Sequence, residues 1–293
     1  MITEMKYSNT NTYLIRGRQG YLLFDTGWAG SFSRFCKALK ETGVSGKEIK
    51  YLLISHFHPD HCGIAQEIAN AFGTKIVTMD VQNGYWHLSD EIFRKEGRRE
   101  FVPVDDAEVL VIPIPESRKF LRDGGWDGEI FHTPGHSDDS ISLWLDDGSL
   151  FVGDLNPLYE LELHGGTMIG ESWKQLLALE PCKVYYGHAK TAVLREAGAR
   201  LETGRAAGGK PLADKASDGN PETVGKMTAG GREETYALVK AIMKYVDKGW
   251  HLDRIREKTG ADKTFTEDVT RMYLTHPGVT VQGILDRIEI KNK

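Results

Sequence analysis

The sequence predicts a layered α/β fold followed by a small helical unit. Short β-rich runs alternate with helical stretches from the N-terminus to about residue 190, a pattern typical of mixed sheets covered by helices. Residues 203–232 then contain seven glycines and only three large aliphatic residues. Four stretches with helical spacing follow, over residues 236–246, 251–258, 264–274 and 279–288.

The first half of the α/β region is predicted to contain a hairpin, two helices and two further strands. Thr12–Arg16 and Gly20–Phe24 look like the two strands of a hairpin that ends in the turn-forming residues Asp25-Thr26-Gly27. Residues 31–42 have helical spacing closed by Gly43. Tyr51–Ile54 is a strand, and a histidine-rich loop leads from it to a helix over Ile64–Phe72. A strand over Thr74–Thr78 completes this half.

The second half contains mainly strands. They are predicted at residues 108–112, 129–132, 141–145, 150–152 and 183–186. A helix over Glu171–Leu179 precedes the last of them. We divide the chain into an α/β domain over 1–202, a Gly-rich linker or loop over 203–232 and a helical C-terminal cap over 233–293.

Composition and charge exclude several classes of protein. The 293 residues are 40% hydrophobic and 27% charged, which is a globular composition. A formal net charge of −5 argues against broad binding of nucleic acid or of an anionic membrane. The sequence has no apolar run near the ~18 residues of a membrane span and no export signal. Three widely spaced cysteines indicate reduced thiols, so we expect a cytoplasmic protein.

One short segment carries most of the functional information. Ser55-His56-Phe57-His58-Pro59-Asp60-His61 places four metal-competent side chains within six positions, directly after an apolar strand. In an extended loop His56 and His58 project to the same side and can bind one ion, while Asp60 and His61 can face a second. Imidazole and carboxylate suit Zn²⁺ or Fe²⁺.

Three further segments strengthen this interpretation. Potential ligands His136, Asp154 and His188 each come just after an apolar run, and each has a glycine beside it. Glycine permits close or unusual backbone paths near a site. The sequence therefore predicts that these strand ends converge on a metal centre.

The set resembles the signature of the metallo-β-lactamase superfamily, HxHxDH followed by separate His, Asp and His ligands. The resemblance covers roughly residues 10–190 and implies a four-layer αβ/βα sandwich. Carried over residue by residue, it assigns His56, His58 and His136 to a first ion and Asp60, His61 and His188 to a second, with Asp154 bridging both. It implies two divalent ions, Zn in the first place, with Fe or Mn as alternatives.

The bridging Asp154 resembles the lactonase, glyoxalase-II-type thioesterase and phosphodiesterase branches of that family. We therefore expect a dinuclear hydrolase of a small ester, thioester or lactone that uses a metal-bound hydroxide, with Asp60 handling the proton. A phosphodiesterase is one alternative. A regulatory protein that keeps the metal centre and acts through its helical extension is the other.

Weaker signals concern single residues. Tyr159 and His164 follow Asp154 in a loop where relatives place substrate-contacting side chains, and either could donate a hydrogen bond to an oxyanion. Asp25 is either a partner of a ligand histidine or a plain turn residue. Cys62 adjoins His61 but is expected to be a buried, inert thiol.

The C-terminal unit has the outline of a helix-turn-helix. Its second helix, however, carries Glu267 and Asp268 against a single Arg271, and acidic side chains repel phosphates. We therefore expect a helical cap on the metal cleft, or a dimerisation element, rather than a nucleic-acid reader. The expected partner is a small-molecule substrate, no membrane is involved, and a homodimer is left open.

Overall fold

The computed structural model describes residues 1–95, 100–194, 229–248, 250, 252–275, 280–282, 284–285 and 288. These residues form two mixed β-sheets with helices packed on their outer faces, followed by a helical C-terminal unit. The predicted α/β layered fold with a C-terminal helical extension is confirmed.

The first sheet contains six strands that lie side by side in chain order. They are β1 (Ile2–Met5), β2 (Thr12–Arg16), β3 (Tyr21–Phe24), β4 (Ile49–Leu53), β5 (Lys75–Met79) and β6 (Val109–Ile112). The first three strands pair antiparallel, whereas β3 to β6 pair parallel. Parallel strands end at the same edge of the sheet, so the loops that follow β3 and β4 meet there.

The second sheet contains five strands in the order β11-β10-β9-β8-β7. They are β7 (Gly128–His132), β8 (Ile141–Leu145), β9 (Ser149–Phe151), β10 (Lys183–Tyr185) and β11 (Ala192–Val193). Strands β9 and β10 pair parallel, and the other pairs are antiparallel. The segments after β9 and β10 therefore also leave one common edge.

Nine helices lie wholly within the described residues and accompany the sheets. They are α1 (Phe32–Thr42), α2 (Pro59–Cys62), α3 (Ala65–Phe72), α4 (Leu88–Lys95), α5 (Ser117–Gly124), α6 (Met168–Leu177), α7 (Ala229–Asp247), α8 (Leu252–Thr259) and α9 (Lys263–Thr275). None of the helices in this part of the chain combines the length and the apolar character needed to cross a membrane.

Alternation along the strands divides the core between two faces of the first sheet. In β2, Leu14 packs toward α1 and α3, whereas its neighbours Tyr13 and Ile15 pack toward the second sheet. This is the period of two that a strand requires. Each fully buried aliphatic or aromatic side chain contributes about 1.5–3 kcal/mol, so the alternation fixes which face meets which layer.

The second sheet is covered on its outer face by α6. Trp173 and Leu176 of that helix pack on Trp144, Leu150 and Val184 of the strands, and all five side chains are buried. The order of layers is therefore helices, sheet, sheet, helix. The predicted four-layer sandwich is confirmed.

The C-terminal unit has its own apolar cluster. Its buried members come from α7, α8, α9 and the residues beyond them: Val239, Ile242, Val246, Ile255, Val269, Met272, Ile284 and Leu285. The predicted linker at residues 203–232 lies outside the described residues except for 229–232, which belong to α7. The predicted last helix at 279–288 is described only in part.

The sequence predicted that the histidine-rich segment is a loop, but part of it is helical. Residues Pro59–Cys62 form the short helix α2, in which Pro59 occupies the first turn, a position that suits its fixed φ. Two threonine side chains hold this turn, since Thr10 Oγ1 donates to the Asp60 carbonyl and Thr26 Oγ1 donates to the His61 carbonyl, at 2.7 and 2.8 Å. Asp60 and His61 therefore project from a fixed turn.

Candidate metal centre

Three histidines form one half of the candidate centre. His56 and His58 leave the end of β4, and His136 lies in the loop between β7 and β8. His58 Nδ1 lies 2.9 Å from His56 Nε2 and 3.1 Å from His136 Nε2. Three ring nitrogens thus converge on one point, which is the arrangement of a three-histidine metal site.

The second half is formed by Asp60, His61 and His188. Asp60 and His61 project from α2, and His188 follows β10. His188 Nε2 lies 3.0 Å from Asp60 Oδ2 and 3.3 Å from His61 Nε2. The structure therefore groups these three side chains as a second potential ligand set.

Asp154, which follows β9, lies between the two halves. Its Oδ1 is 3.3 Å from His61 Nε2 and 3.4 Å from His188 Nε2, and its Oδ2 is 3.6 Å from His136 Nε2. One carboxylate therefore presents a different oxygen to each set. All seven ligands predicted from the sequence lie in this one cluster.

Asp25 orients one of the ligand rings. Its Oδ2 lies 2.9 Å from His61 Nδ1 and accepts from Ser55 Oγ at 2.8 Å, and its Oδ1 accepts from the Ser55 backbone N–H at 2.7 Å. With Nδ1 engaged by the carboxylate, His61 presents Nε2 to the centre. Of the two interpretations that the sequence left open, the structure places Asp25 as the partner of a ligand histidine.

A backbone carbonyl and a glycine also help to position the candidate ligands. The Asn9 carbonyl lies 3.0 Å from His188 Nδ1, which leaves Nε2 of that ring to face the centre. A Cβ on Gly187 would lie 2.6 Å from Asp154 Oδ1 and 2.8 Å from His61 Cε1. Only glycine therefore lets the chain pass this close to the cluster.

The donor set fits divalent ions. Both carboxylate oxygens of Asp60 and Oδ1 of Asp154 are buried without a hydrogen bond of acceptable geometry. Buried carboxylate oxygens are costly unless they are paired or bind a cation. Neutral imidazoles and carboxylates are ligands that zinc and iron accept, so the residues present suit the ions that the sequence predicts.

His56, His58 and Asp60 have protonation states that suit this role, whereas His61 must first lose a proton. Burial lowers the pKa of His58 to about 3 and that of His56 well below its usual value, so both rings are neutral near pH 7. Burial would lower the pKa of His61 as well, but the carboxylates of Asp154, Asp25 and Asp60 raise it well above its usual value. Burial opposes ionisation of Asp60, yet His61, His188 and Arg271 lower its pKa to about 2.

Arg271 of α9 also reaches the centre, which the sequence analysis did not anticipate. Its Nη1 donates to Asp154 Oδ2 at 3.0 Å, and its Nε lies 3.5 Å from Asp60 Oδ2. Only 10% of the Arg271 side chain is exposed. Arg271 is the one arginine of α9, and no spacing rule connects it with Asp154 and Asp60, which are more than a hundred residues away.

The other residues singled out from the sequence lie elsewhere or are not described. The side chain of Tyr159 lies outside the described part of the structure. His164 ends a 3₁₀ helix over Leu158–His164, is half-buried, and belongs to none of the ligand groups formed by described residues. The role of both in binding an oxyanion stays a prediction. Cys62 is buried against Ser89, and burial raises the pKa of its thiol to about 12, as suits an inert thiol.

Comparison with known proteins identifies the family. The family model described as the metallo-beta-lactamase superfamily matches residues 6–188. The chain therefore belongs to the metallo-β-lactamase superfamily, as the motif predicted. The match contains all seven candidate ligands and ends at His188.

Two curated relatives illustrate the range of similar sequences. A Drosophila melanogaster beta-lactamase-like protein 2 homolog is 27% identical over 194 residues, which is 64% of this chain and 60% of the relative. An Aspergillus fumigatus atrochrysone carboxyl ACP thioesterase is 26% identical over 210 residues, which is 68% of this chain and 41% of the relative. The chain thus spans less than two thirds of either relative's length.

Solved structures support the fold. The B3 metallo-beta-lactamase BLEG-1 superposes with a TM-score of 0.52 at 22% identity, covering 66% of this chain and 94% of that one. A protein crystallised in a di-iron-bound form gives a TM-score of 0.51 at 21% identity, with the same coverage of both chains. At this identity the likeness concerns the architecture alone.

Proposed function

We propose that this chain is a metal-dependent hydrolase of a small ester, thioester or lactone, with a dinuclear centre. The observation that carries the proposal is the position of Asp154, whose two oxygens face the two ligand sets. A carboxylate placed in this way can serve two ions at once. Two ions bound there would supply Lewis acidity and lower the pKa of a water molecule toward neutrality.

Asp60 is the residue best placed to move a proton. Its side chain is fully buried at the centre, and its low pKa keeps it in the ionised form that a base requires. The Thr10 bond to its carbonyl and the turn of α2 fix its position. Such a base contributes typically 10²–10⁴-fold to the rate.

The names of similar proteins support hydrolysis, and one of them supports acyl chemistry. One relative is described as an ACP thioesterase, and a Methanocaldococcus jannaschii relative is described as a probable metallo-hydrolase, 29% identical over 148 residues. Thioester and ester hydrolysis both require an electrophile for a carbonyl oxygen and a base for water. The cluster supplies ligands for the first and Asp60 for the second.

A substrate panel tests the proposal. Protein reconstituted with Zn²⁺, Fe²⁺ or Mn²⁺, with its metal content measured first, would be assayed on esters, thioesters, lactones and a phosphodiester. We expect turnover of at least one acyl substrate, and a loss of roughly 10²-fold or more in a His58→Ala variant.

An exposed histidine provides the matched control. His87 pairs with Asp90 and Asp106 on the surface, so the His87→Ala variant should keep full activity. Fully loaded protein without turnover on any acyl substrate, or turnover that survives His58→Ala, would contradict the proposal. Turnover of the phosphodiester alone would favour the phosphodiesterase alternative.

A further inference from the structure

The C-terminal unit places a cation at the candidate metal centre. Helix α9 has an apolar face, on which Val269 and Met272 pack into the C-terminal cluster. Asp268 and Arg271 lie on the neighbouring face, three residues apart and therefore on the same side of the helix. The same helix thus packs its own unit together and contacts the hydrolase core.

Asp268 and Arg271 both contact the core from this face. Asn9 Nδ2 lies 3.4 Å from Asp268 Oδ1, and the carbonyl of the same Asn9 lies 3.0 Å from His188 Nδ1. Arg271 then reaches past this point to Asp154 and Asp60. Its guanidinium group is consequently fixed beside the ligands by a helix, rather than carried there by a loop.

A buried guanidinium group in this position requires nearby negative charge to stabilise it. Removing a cation from water is costly, and a hydrophobic residue of similar volume often packs at least as favourably. Asp154, Asp60 and Asp268 stabilise the charge of Arg271 here, but the first two are also the carboxylates that suit divalent ions. When those oxygens serve ions, Arg271 faces additional positive charge, and an anion bound beside it restores the balance.

We propose that Arg271 is a substrate-recognition residue that binds a carboxylate carried on the acyl part of the substrate. This inference rests on the proposed function and narrows its substrate to an acyl compound with a free carboxylate near the scissile carbonyl. Arginine binds carboxylates through two parallel N–H donors, which gives orientation as well as affinity. In the described residues Arg271 is the one Arg or Lys paired with the ligand carboxylates, so a singly charged carboxylate matches it better than a phosphate dianion.

Ligand binding to Co²⁺-substituted protein tests the inference without turnover. The visible absorption of the bound cobalt reports occupation of the centre, so dissociation constants can be measured for succinate and for butyrate. These probes have the same chain length and differ by one carboxylate. We expect succinate to bind the wild-type protein about tenfold or more tightly than butyrate.

Substitutions then assign this preference to Arg271. Arg271→Met should lose the preference for succinate while leaving butyrate binding unchanged, and Arg271→Lys should restore part of it. The control is Arg256→Met in α8, because Arg256 pairs with the exposed Asp253 and lies in the same unit. It should bind both probes like the wild type. Cobalt content and thermal melting of each variant show whether it is folded and loaded.

The outcomes separate this inference from the proposed function. If wild-type protein does not prefer succinate, or if folded, loaded Arg271→Met and Arg271→Lys both keep the preference, the inference is wrong even when the chain hydrolyses esters. Tighter binding of phenylphosphonate than of succinate would also overturn the carboxylate assignment. If the preference depends on Arg271 but no acyl substrate is turned over, recognition stands and the proposed hydrolysis fails. If Arg271→Met does not fold, the Arg271→Lys variant decides alone, because lysine keeps the charge and loses the two parallel N–H donors. A fully kept preference for succinate in that variant would then overturn the inference.

Discussion

The pairing of Asp25 with His61 determines which ring nitrogen faces the cluster. The carboxylate holds Nδ1 at 2.9 Å, and Asp25 adopts a left-handed backbone conformation with φ of 61° to do so. Aspartate tolerates this region better than most residues. Its backbone conformation and its side-chain bonds to Ser55 and His61 therefore act together to orient one ligand.

The raised pKa of His61 predicts that metal uptake releases a proton. Near pH 7 the ring is protonated in the metal-free protein, because Asp154, Asp25 and Asp60 surround it. A ligand nitrogen must lose its proton to bind a metal. Calorimetric Zn²⁺ titrations in buffers of different ionisation enthalpy should therefore show release of about one proton per chain from this ring.

The pH dependence of this release has a definite sign. The release should persist up to the folded pKa of His61 and fall above it, while His56 and His58, which are already neutral, contribute nothing. In an Asp25→Asn variant the pKa of His61 should drop, and the released proton count at pH 7 should drop with it. Equal proton counts in the two proteins would contradict this assignment.

Asp60 should matter more for turnover than for folding. An Asp60→Asn variant keeps the shape of the side chain but cannot accept a proton, so kcat on a confirmed substrate should fall by on the order of 10²-fold or more at equal metal content. Cys62→Ala is the control, because the buried thiol contacts Ser89 and should leave metal content and kcat unchanged. Wild-type kcat in fully loaded Asp60→Asn protein would remove Asp60 from the mechanism.

A substitution in the turn after β10 tests whether the backbone must pass close to the centre. A Gly187→Ala side chain would overlap Asp154 and His61, so we expect at least a tenfold loss of metal affinity and a lower melting temperature. Gly165→Ala is a matched control, since a Cβ there meets nothing within 4 Å. Metal titrations and thermal melts of both variants would measure the difference. Unchanged affinity in Gly187→Ala would show that the cluster adapts to the extra methyl group.

The sequence predicted best those elements that carry their own pattern. The strands β2, β3 and β4 are short, largely apolar runs, and each lies within two residues of its predicted bounds. Elements that depend on a partner were missed. Strand β1 contains one buried residue, Met5, and exists through its pairing with β2, while β11 is two residues long and pairs with β10. The short surface helices α4 and α5 were missed as well.

The cluster of candidate ligands could be predicted from the sequence because its metal-competent residues are concentrated at strand ends. His136, Asp154 and His188 each follow an apolar run, and the common edges of the two sheets bring these ends together. Arg271 could not be read in this way. Its place at the centre depends on how α9 packs against the core, and that arrangement leaves no local signature in the sequence.

Removal of the C-terminal unit should separate metal binding from substrate binding. All seven ligands precede residue 229, so protein that lacks residues 229–293 should still bind metal. It should show a higher KM, because Arg271, which pairs with Asp154 at the centre, is then absent. It should also bind a hydrophobic dye more strongly than the full chain where the covered surface is exposed.

The helix-turn-helix alternative for the C-terminal unit predicts the opposite result when residues 229–293 are removed. Thr266, Asp268, Val269 and Arg271 of α9 are buried, so these residues are not presented to DNA in this arrangement. If the shortened protein kept its KM and stayed monodisperse, and if residues 229–293 bound duplex DNA in a salt-dependent manner, the helix-turn-helix interpretation would replace the cap.

The number and position of bound ions test the two-ion assignment most directly. Crystals of the Zn²⁺-reconstituted protein, measured on both sides of the zinc absorption edge, should show two anomalous peaks per chain. One peak should lie among His56, His58 and His136, the other among Asp60, His61 and His188, with Asp154 in contact with both. A single peak at saturating zinc, or a second peak outside this cluster, would contradict the dinuclear assignment.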